Sequence, residues 1–217
     1  MKLYTYYRSS AVYRVRIALN LKALDYESVS VSLGDKENAM KALDYFSINP
    51  QGFVPALEDN GQIFTQSLAI IEYLDEEYPD ISLLPAKPKD RAIVRAMAQM
   101  ITSDVHPLNN LRVLNYLRDE LKQPEENINT WYKHWIQEAF AALETMVEQH
   151  GGAYCFKDTI SLADVCLVPQ MANAKRMNVD ISPFSKLRAI DEALSSHPAF
   201  IDAAPEAQAD APADSML

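Results

Sequence analysis

Residues 49–74 read NPQGFVPALEDNGQIFTQSLAIIEYL, and the backbone changes state several times within them. Asn49-Pro50-Gln51-Gly52 is a turn signal, because proline pre-sets φ and glycine accepts the positive φ that most residues avoid. Val54-Pro55-Ala56-Leu57 and Gln62–Thr65 are short β-type runs on either side of Asp59-Asn60-Gly61, which reads as a hairpin. Ser67 then stands as the N-cap of a helix through Leu74. The proline that opens the first run cannot donate to a β ladder, so it belongs at an edge or a kink. If the Val54-Pro55 bond is cis, the free N–H and C=O of Val54 face a groove and can pair with an extended peptide like an added strand.

Towards the N-terminus, Lys2–Tyr6 reads as a strand. Val12, Val15, Ile17, Ala18 and Leu21 recur at helical spacing behind Ser9 and Ser10, either of which suits an N-cap. Val29, Val31 and Leu33 alternate with Ser28, Ser30 and Ser32, the period of a half-buried strand. The order β-α-β-(helical or irregular)-β-β-α matches a thioredoxin-like α/β domain over residues 1–80. Residues 79–88 are rich in proline and form a linker. Beyond it the pattern is helical: Asp90–Glu120 with Pro107 as a kink, Asn127–Gln149, Leu162–Arg176 and Phe184–Leu194. Ser161 and Asp164 have the spacing of a capping box, with Ile160 and Val165 as its hydrophobic staple. An all-α domain is therefore expected over 88–204, and the small, acidic, proline-containing end, 205–217, is expected to be disordered.

Composition narrows the function classes. The 217 residues carry a net charge of −10, which disfavours nucleic acid and anionic membrane as partners while leaving room for a small anion at a local arginine cluster. Only 5 glycines argue for long helices over a turn-rich β fold. The start, MKLYTYYRSS, has no apolar signal region, and no apolar run approaches a membrane span. Cys155 and Cys166 have no His or Cys neighbours at metal spacing, so no metal is expected, and two buried free thiols in the reducing cytoplasm are the default reading.

Two places carry chemistry. Ser9 and Ser10 put hydroxyls between a strand and a helix N-terminus, where the dipole favours an anion and a serine O–H can donate to a thiolate. Serine itself has no activating His–Asp arrangement and no G-x-S-x-G elbow, so it is not read as the nucleophile. Gln66-Ser67 opens the third helix 12 residues after Val54-Pro55, across the hairpin. Its backbone N–H groups suit a carboxylate.

The run RSSAVYRVRIALNLKAL (8–24), with NPQGFVPAL and QSLAIIEYL after it, resembles the zeta class of glutathione transferases. SDVHPLNNLRVLNYL (103–117) and YCFKDTISLADVCLVPQMANAKRMNVD (154–180) extend the resemblance through the helical half, to about Ala204. It implies the glutathione transferase fold, a cis Val54-Pro55, a homodimer, and glutathione as a cofactor regenerated at each turnover. By resemblance, Ser9 and Ser10 are catalytic. Glutathione is held by them, Gln51, the Val54 backbone, Gln66, Ser67, Asn109 and Asn110. Arg176 meets a substrate carboxylate, joined by Arg8, His106 and Arg112 in relatives acting on maleylpyruvate. The implied reaction is isomerisation of maleylacetoacetate to fumarylacetoacetate, with maleylpyruvate isomerisation and transfer to α-halo acids as rivals. Two positions depart from the family pattern: Ala11 replaces a common cysteine, and Lys157 stands where glycine is frequent.

Overall fold

The computed structural model describes residues 1–31 and 39–212; Ser32 and Leu33 of the second expected strand, and 213–217 of the expected tail, lie outside the described residues. The chain divides into two compact units, Met1–Ser82 together with Ser196 onward, and Leu83–Ser195.

In the first unit the elements run β1 (Lys2–Thr5), α1 (Ser10–Leu21), β2 (Glu27–Ser30), α2 (Ala39–Ile48), β3 (Ala56–Asp59), β4 (Gln62–Thr65) and α3 (Ser67–Glu77). The stretch that the sequence leaves open between helix and irregular chain is thus helical in α2. The sheet order is β2-β1-β3-β4. β1 pairs parallel with β2 and antiparallel with β3, and β3 pairs antiparallel with β4. Asn60 (φ 49°) and Gly61 (φ 78°) make the two-residue hairpin turn, whose two positive φ values explain the Asn-Gly pair. Tyr4 faces Ala56, and Ala56 faces Thr65. The end of β1, the start of β3 and the end of β4 therefore lie at the same end of the sheet. Leu3 and Leu57 are buried with Val12, Val15, Ile17 and Ala18 of α1 and Ile70, Ile71 and Leu74 of α3.

The second strand is shorter than its alternation implied. It covers Glu27–Ser30 at the sheet edge, and only Val29 of it is even half-buried. At an edge strand the inward face has little to pack against, so the pattern is weakly enforced. Helix α1 shows the reverse. Nearly all of it is buried, Arg14 and Arg16 included. At its C-terminus Lys22 Nζ pairs with Asp75 Oδ1 at 2.9 Å, and donates to the carbonyls of Tyr78 and Ile81. That buried pair fixes the start of the linker.

The second unit contains α4 (Pro88–Gln99), α5 (Leu111–Asn115), α6 (Glu125–His150), α7 (Leu162–Arg176) and α8 (Ser185–Ser195). The single kinked helix expected over Asp90–Glu120 is instead broken. A π-helical turn, Met100–Val105, follows α4, residues 106–110 form turns, and a second π-helical turn, Tyr116–Glu120, follows α5. Pro107 has no N–H to continue the ladder, and the Asn110 side chain accepts from Arg112 N to start a new helix. The expected capping box is present at α7: Ser161 N and Oγ both donate to Asp164 Oδ2 at 2.8 Å. Asp164 Oδ1 also accepts from Cys155 N, also at 2.8 Å. Lys157 occupies a left-handed conformation, φ 56°, which glycine adopts at less cost. Its ammonium pairs with Asp90 at 2.8 Å and lies 4.6 Å from the Phe156 ring centre.

The C-terminal segment corrects two expectations. Residues from Ser196 belong with the first unit, although 88–204 was expected to be one helical domain. The described part of the expected tail is structured, with a 3₁₀ turn at Pro205–Ala207. Helix α9 (Pro198–Ile201) packs on α1, and Ala203 bonds to the same helix. Tyr13 Oη donates to Phe200 O, Asn20 Nδ2 to Ala199 O and Arg16 Nε to Ala203 O, at 3.3, 3.1 and 2.8 Å. A buried guanidinium must have acceptors, and this segment supplies one. Among the described residues no helix is long and apolar enough to cross a membrane.

Candidate functional site

Three of the singled-out motifs sit on segments that enter or leave the same end of the sheet. From the end of β1 the chain turns through Tyr6–Ser9, closed by Ser9 N donating to Tyr6 O at 3.0 Å. Of the two candidates, Ser9 is the N-cap of α1, and its Oγ accepts from Val12 N at 3.3 Å. The cap uses a lone pair, so the hydroxyl proton stays available to a ligand at the helix N-terminus. Ser10, the first helical residue, is half-buried beside it.

The Val54-Pro55 bond is cis, and β3 begins one residue after the proline, at Ala56. Val54 is buried to 8% exposure, yet neither its N–H nor its C=O has a partner among the described residues. An extended peptide's main chain would satisfy both.

Ser67 was expected to cap α3; the N-cap is Gln66, in a left-handed conformation (φ 69°) with no side-chain cap. The sharp turn from β4 into α3 is made by that backbone conformation. Ser67 becomes the first helical residue, buried, its Oγ accepting from Arg14 Nη1 at 3.4 Å. The exposed Gln66 amide reaches Gln51, Nε2 to Oε1 at 2.8 Å, while Gln51 N is held by Asn49 Oδ1. Arg14, which ties α1 to the start of α3, was missed in the sequence. The signal was there: a charge inside the apolar stripe of a helix.

Charges of both signs lie at this end of the sheet, Arg8 and Asp210 among them. Arg8 is exposed and has no carboxylate partner among the described residues. Burial pushes the Tyr6 phenol above its ordinary value, so it stays neutral at pH 7. Both cysteines lie in the second unit, free and buried, and burial pushes the Cys155 thiol well up. The chain brings no reactive thiol of its own.

The second unit carries the other singled-out residues. His106, Asn109 and Asn110 lie in the break between the first π-helical turn and α5. Asn109 Nδ2 donates to Tyr132 O of α6 at 2.9 Å, while its buried Oδ1 has no partner among the described residues. Asn110 spends its Oδ1 on the α5 cap. Arg112 is exposed on α5. Arg176 is exposed in the last turn of α7, braced by Asn173 Oδ1 at 2.8 Å, with no carboxylate partner among the described residues. The preceding Lys175 is committed to Asp191 at 2.5 Å. Of the two adjacent cations, Arg176 is the one left to meet an external anion.

Two family descriptions match the chain in order: "Glutathione S-transferase, N-terminal domain" over residues 3–84, and "Glutathione S-transferase, C-terminal domain" over 108–201. The chain is 47% identical to a probable maleylacetoacetate isomerase of Vibrio cholerae, covering 96% of this chain and 97% of that one. Its fold matches the holo structure of maleyl pyruvate isomerase, described as a bacterial glutathione S-transferase in the zeta class. That match has a TM-score of 0.93 and 45% identity over 98% and 100% of the two chains. It also matches maleylacetoacetate isomerase from Methylobacterium extorquens AM1 with bound malonate and glutathione, with a TM-score of 0.90 and 35% identity over 98% and 100%. With both family domains present in order and the likeness running end to end, this chain belongs to the glutathione S-transferase family, in its zeta class.

Proposed function

We propose that this protein is a glutathione-dependent cis–trans isomerase that converts maleylacetoacetate to fumarylacetoacetate, a step in tyrosine and phenylalanine breakdown. The observation that carries the reading is the backbone of Val54, unpartnered among the described residues, at the end of the sheet that also carries Ser9 and Gln66-Ser67. Those groups fit a short γ-glutamyl peptide bearing a thiol. End-to-end likeness to proteins named as this isomerase supports the same reading.

When bound, glutathione supplies a thiolate that adds reversibly to the conjugated cis double bond, which frees the bond to rotate. The chain's residues do the rest. Ser9 donates its hydroxyl proton to the sulfur, with Ser10 beside it, and the start of α1 contributes its positive end. Val54 pairs with the cysteinyl main chain. Gln51, Gln66 and the Ser67 backbone take the γ-glutamyl end, and the resemblance assigns Asn109 and Asn110 to glutathione as well. It assigns Arg176, Arg8, His106 and Arg112 to the anionic groups of the keto acid. Arginine's planar fork suits a carboxylate, and it also stabilises negative charge that develops beside it. The protein acts as a homodimer in the cytoplasm.

The test is isomerisation of purified maleylacetoacetate with and without glutathione. Turnover that needs glutathione but leaves it unconsumed supports the proposal; turnover without it overturns the proposal. Maleylpyruvate is the second substrate to measure, because the matching holo structure carries that activity in its name. The larger kcat/KM decides between the two acids.

A further inference from the structure

The turn Tyr6–Ser9 that carries Arg8 and Ser9 is held from outside by the C-terminal segment. Tyr7 N donates to Asp210 Oδ2 at 3.0 Å, across 203 residues of sequence. The other main-chain group of Tyr7, its C=O, accepts from Arg16 Nη2 at 3.1 Å. The same guanidinium donates through Nε to Ala203 O at 2.8 Å and through Nη1 to Thr5 Oγ1 at 3.2 Å. Both polar groups of one central turn residue are thus clamped, one by Asp210 and one by an arginine that is itself anchored on Ala203. Gln208 Nε2 donates to the carbonyls of Asp202 and Ala204, at 2.9 Å each, and holds the segment in the shape that presents Asp210.

A four-residue corner between a strand and a helix has few contacts of its own, and Arg8 within it is exposed. A group that must sit within a fraction of an ångström of a reacting sulfur needs its support locked by neighbours. We propose that the C-terminal segment belongs to the active site: Asp210 is a positioning residue that, through the Tyr7 amide, fixes the turn carrying Arg8 and Ser9. The catalytic half of this inference rests on the isomerase reading above. The mechanical half does not.

The experiment uses the full-length chain with Asp210→Ala and Asp210→Asn. Asp210 is half-exposed, so both variants should fold. Amide hydrogen exchange, without ligand, reads Tyr7 directly. Asp210→Ala should speed exchange at Tyr7, and Asp210→Asn, which keeps an oxygen acceptor, should restore most of the protection. With glutathione, ultraviolet titration of the bound thiolate should show its pKa rising in Asp210→Ala. There kcat should fall about tenfold, one ordinary hydrogen bond's worth of positioning, while KM for the keto acid holds. Asparagine should recover most of both. Unchanged Tyr7 protection overturns the clamp whatever the reaction is. Faster exchange with an unchanged thiolate titration and kcat overturns the positioning role and leaves a clamp that only stabilises. Failure of the unsubstituted protein to bind glutathione overturns the isomerase reading and the catalytic half with it, while the exchange measurement still decides the mechanical half.

Discussion

At Ser9 a helix cap and a proton donor share one hydroxyl: the oxygen accepts from Val12 N while the hydrogen remains for a ligand. Ser9→Ala removes both, and the two losses are measured separately. Loss of the cap should lower stability by about 1 kcal/mol, seen as a lower urea midpoint. Loss of the donor to a thiolate should lower kcat by about 1.5–3 kcal/mol of barrier with little change in glutathione binding. An unchanged kcat would remove Ser9 from the chemistry and pass its role to Ser10. Arg176 offers a cleaner split, because no carboxylate competes for it among the described residues. Arg176→Lys keeps the charge and loses the fork. KM for the keto acid should rise about tenfold, with KM for glutathione unmoved. Equal effects on both constants would make the arginine a structural partner instead.

Elements in this chain are joined by buried carboxylates as much as by apolar packing. Glu144 of α6 accepts from Lys186 N and Leu187 N, at 2.8 and 3.0 Å, and from Ser185 Oγ. One helix therefore caps the start of another, α8. Glu144→Ala should cost about 1–3 kcal/mol in denaturant unfolding, because it leaves two amides without their acceptor. In the first unit Asp59 at the end of β3 accepts from Tyr73 Oη at 2.8 Å and Tyr78 Oη at 2.7 Å, tying α3 and its C-cap to the sheet. Burial alone would raise the Asp59 carboxyl, but the two phenols hold it below its ordinary value. The hydrogen bond to Asp59, then burial, raises Tyr78 from 10.0 to about 12. Burial, then the same carboxylate, raises Tyr73. A phenol that holds its proton more tightly when folded stabilises below the unfolded value and loses that contribution as pH rises through the folded one. Stability should therefore drop between pH 10 and about 12, and Tyr78→Phe should flatten that drop. An identical alkaline profile in the variant would dismiss the linkage.

On the scale of the whole molecule, the chain returns to its first unit after leaving it for more than a hundred residues, with Leu83–Ser195 as the intervening unit. The return has an electrostatic cause. Arg16 is fully buried, and burial lowers its guanidinium to about 10, so it remains charged at neutral pH. Its acceptors are Thr5 Oγ1, Tyr7 O and Ala203 O, the last from the returning segment. A chain ended after Ser195 would leave that charge short of an acceptor and open α1 to water. Such a truncation should cost at least about 1.5–3 kcal/mol, the scale of one hydrogen bond to a charged group. The measurement is a urea midpoint for the truncated chain against the full one, and equal midpoints would show the segment to be a passenger.

Local chemistry was legible residue by residue. The Asn60-Gly61 hairpin, the Ser9 cap, the Ser161–Asp164 capping box and the start of α7 at Leu162 follow from backbone preferences that act within a few residues, so the sequence alone determined them. So did the family, because RSSAVYRVRIALNLKAL and NPQGFVPAL combine those preferences with side chains of definite chemistry. Other outcomes depended on partners far along the chain. Pro107 read as a kink, yet the helix breaks there, because Asn110 and the contact from Asn109 to Tyr132 offer the chain a better arrangement. Val29 had the alternation of a half-buried strand, but its place at the sheet edge left little to bury against. Arg14, Arg16 and Glu144 are helix charges whose partners lie on other segments. Their burial was decided by which carbonyls, hydroxyls and amides the fold brought to them. The C-terminal segment looked too polar and too small to fold, and by itself it has no core to build. Its order is a tertiary property: the segment supplies the acceptors that a buried arginine and the Tyr7 amide require, and no short-range preference encodes that need.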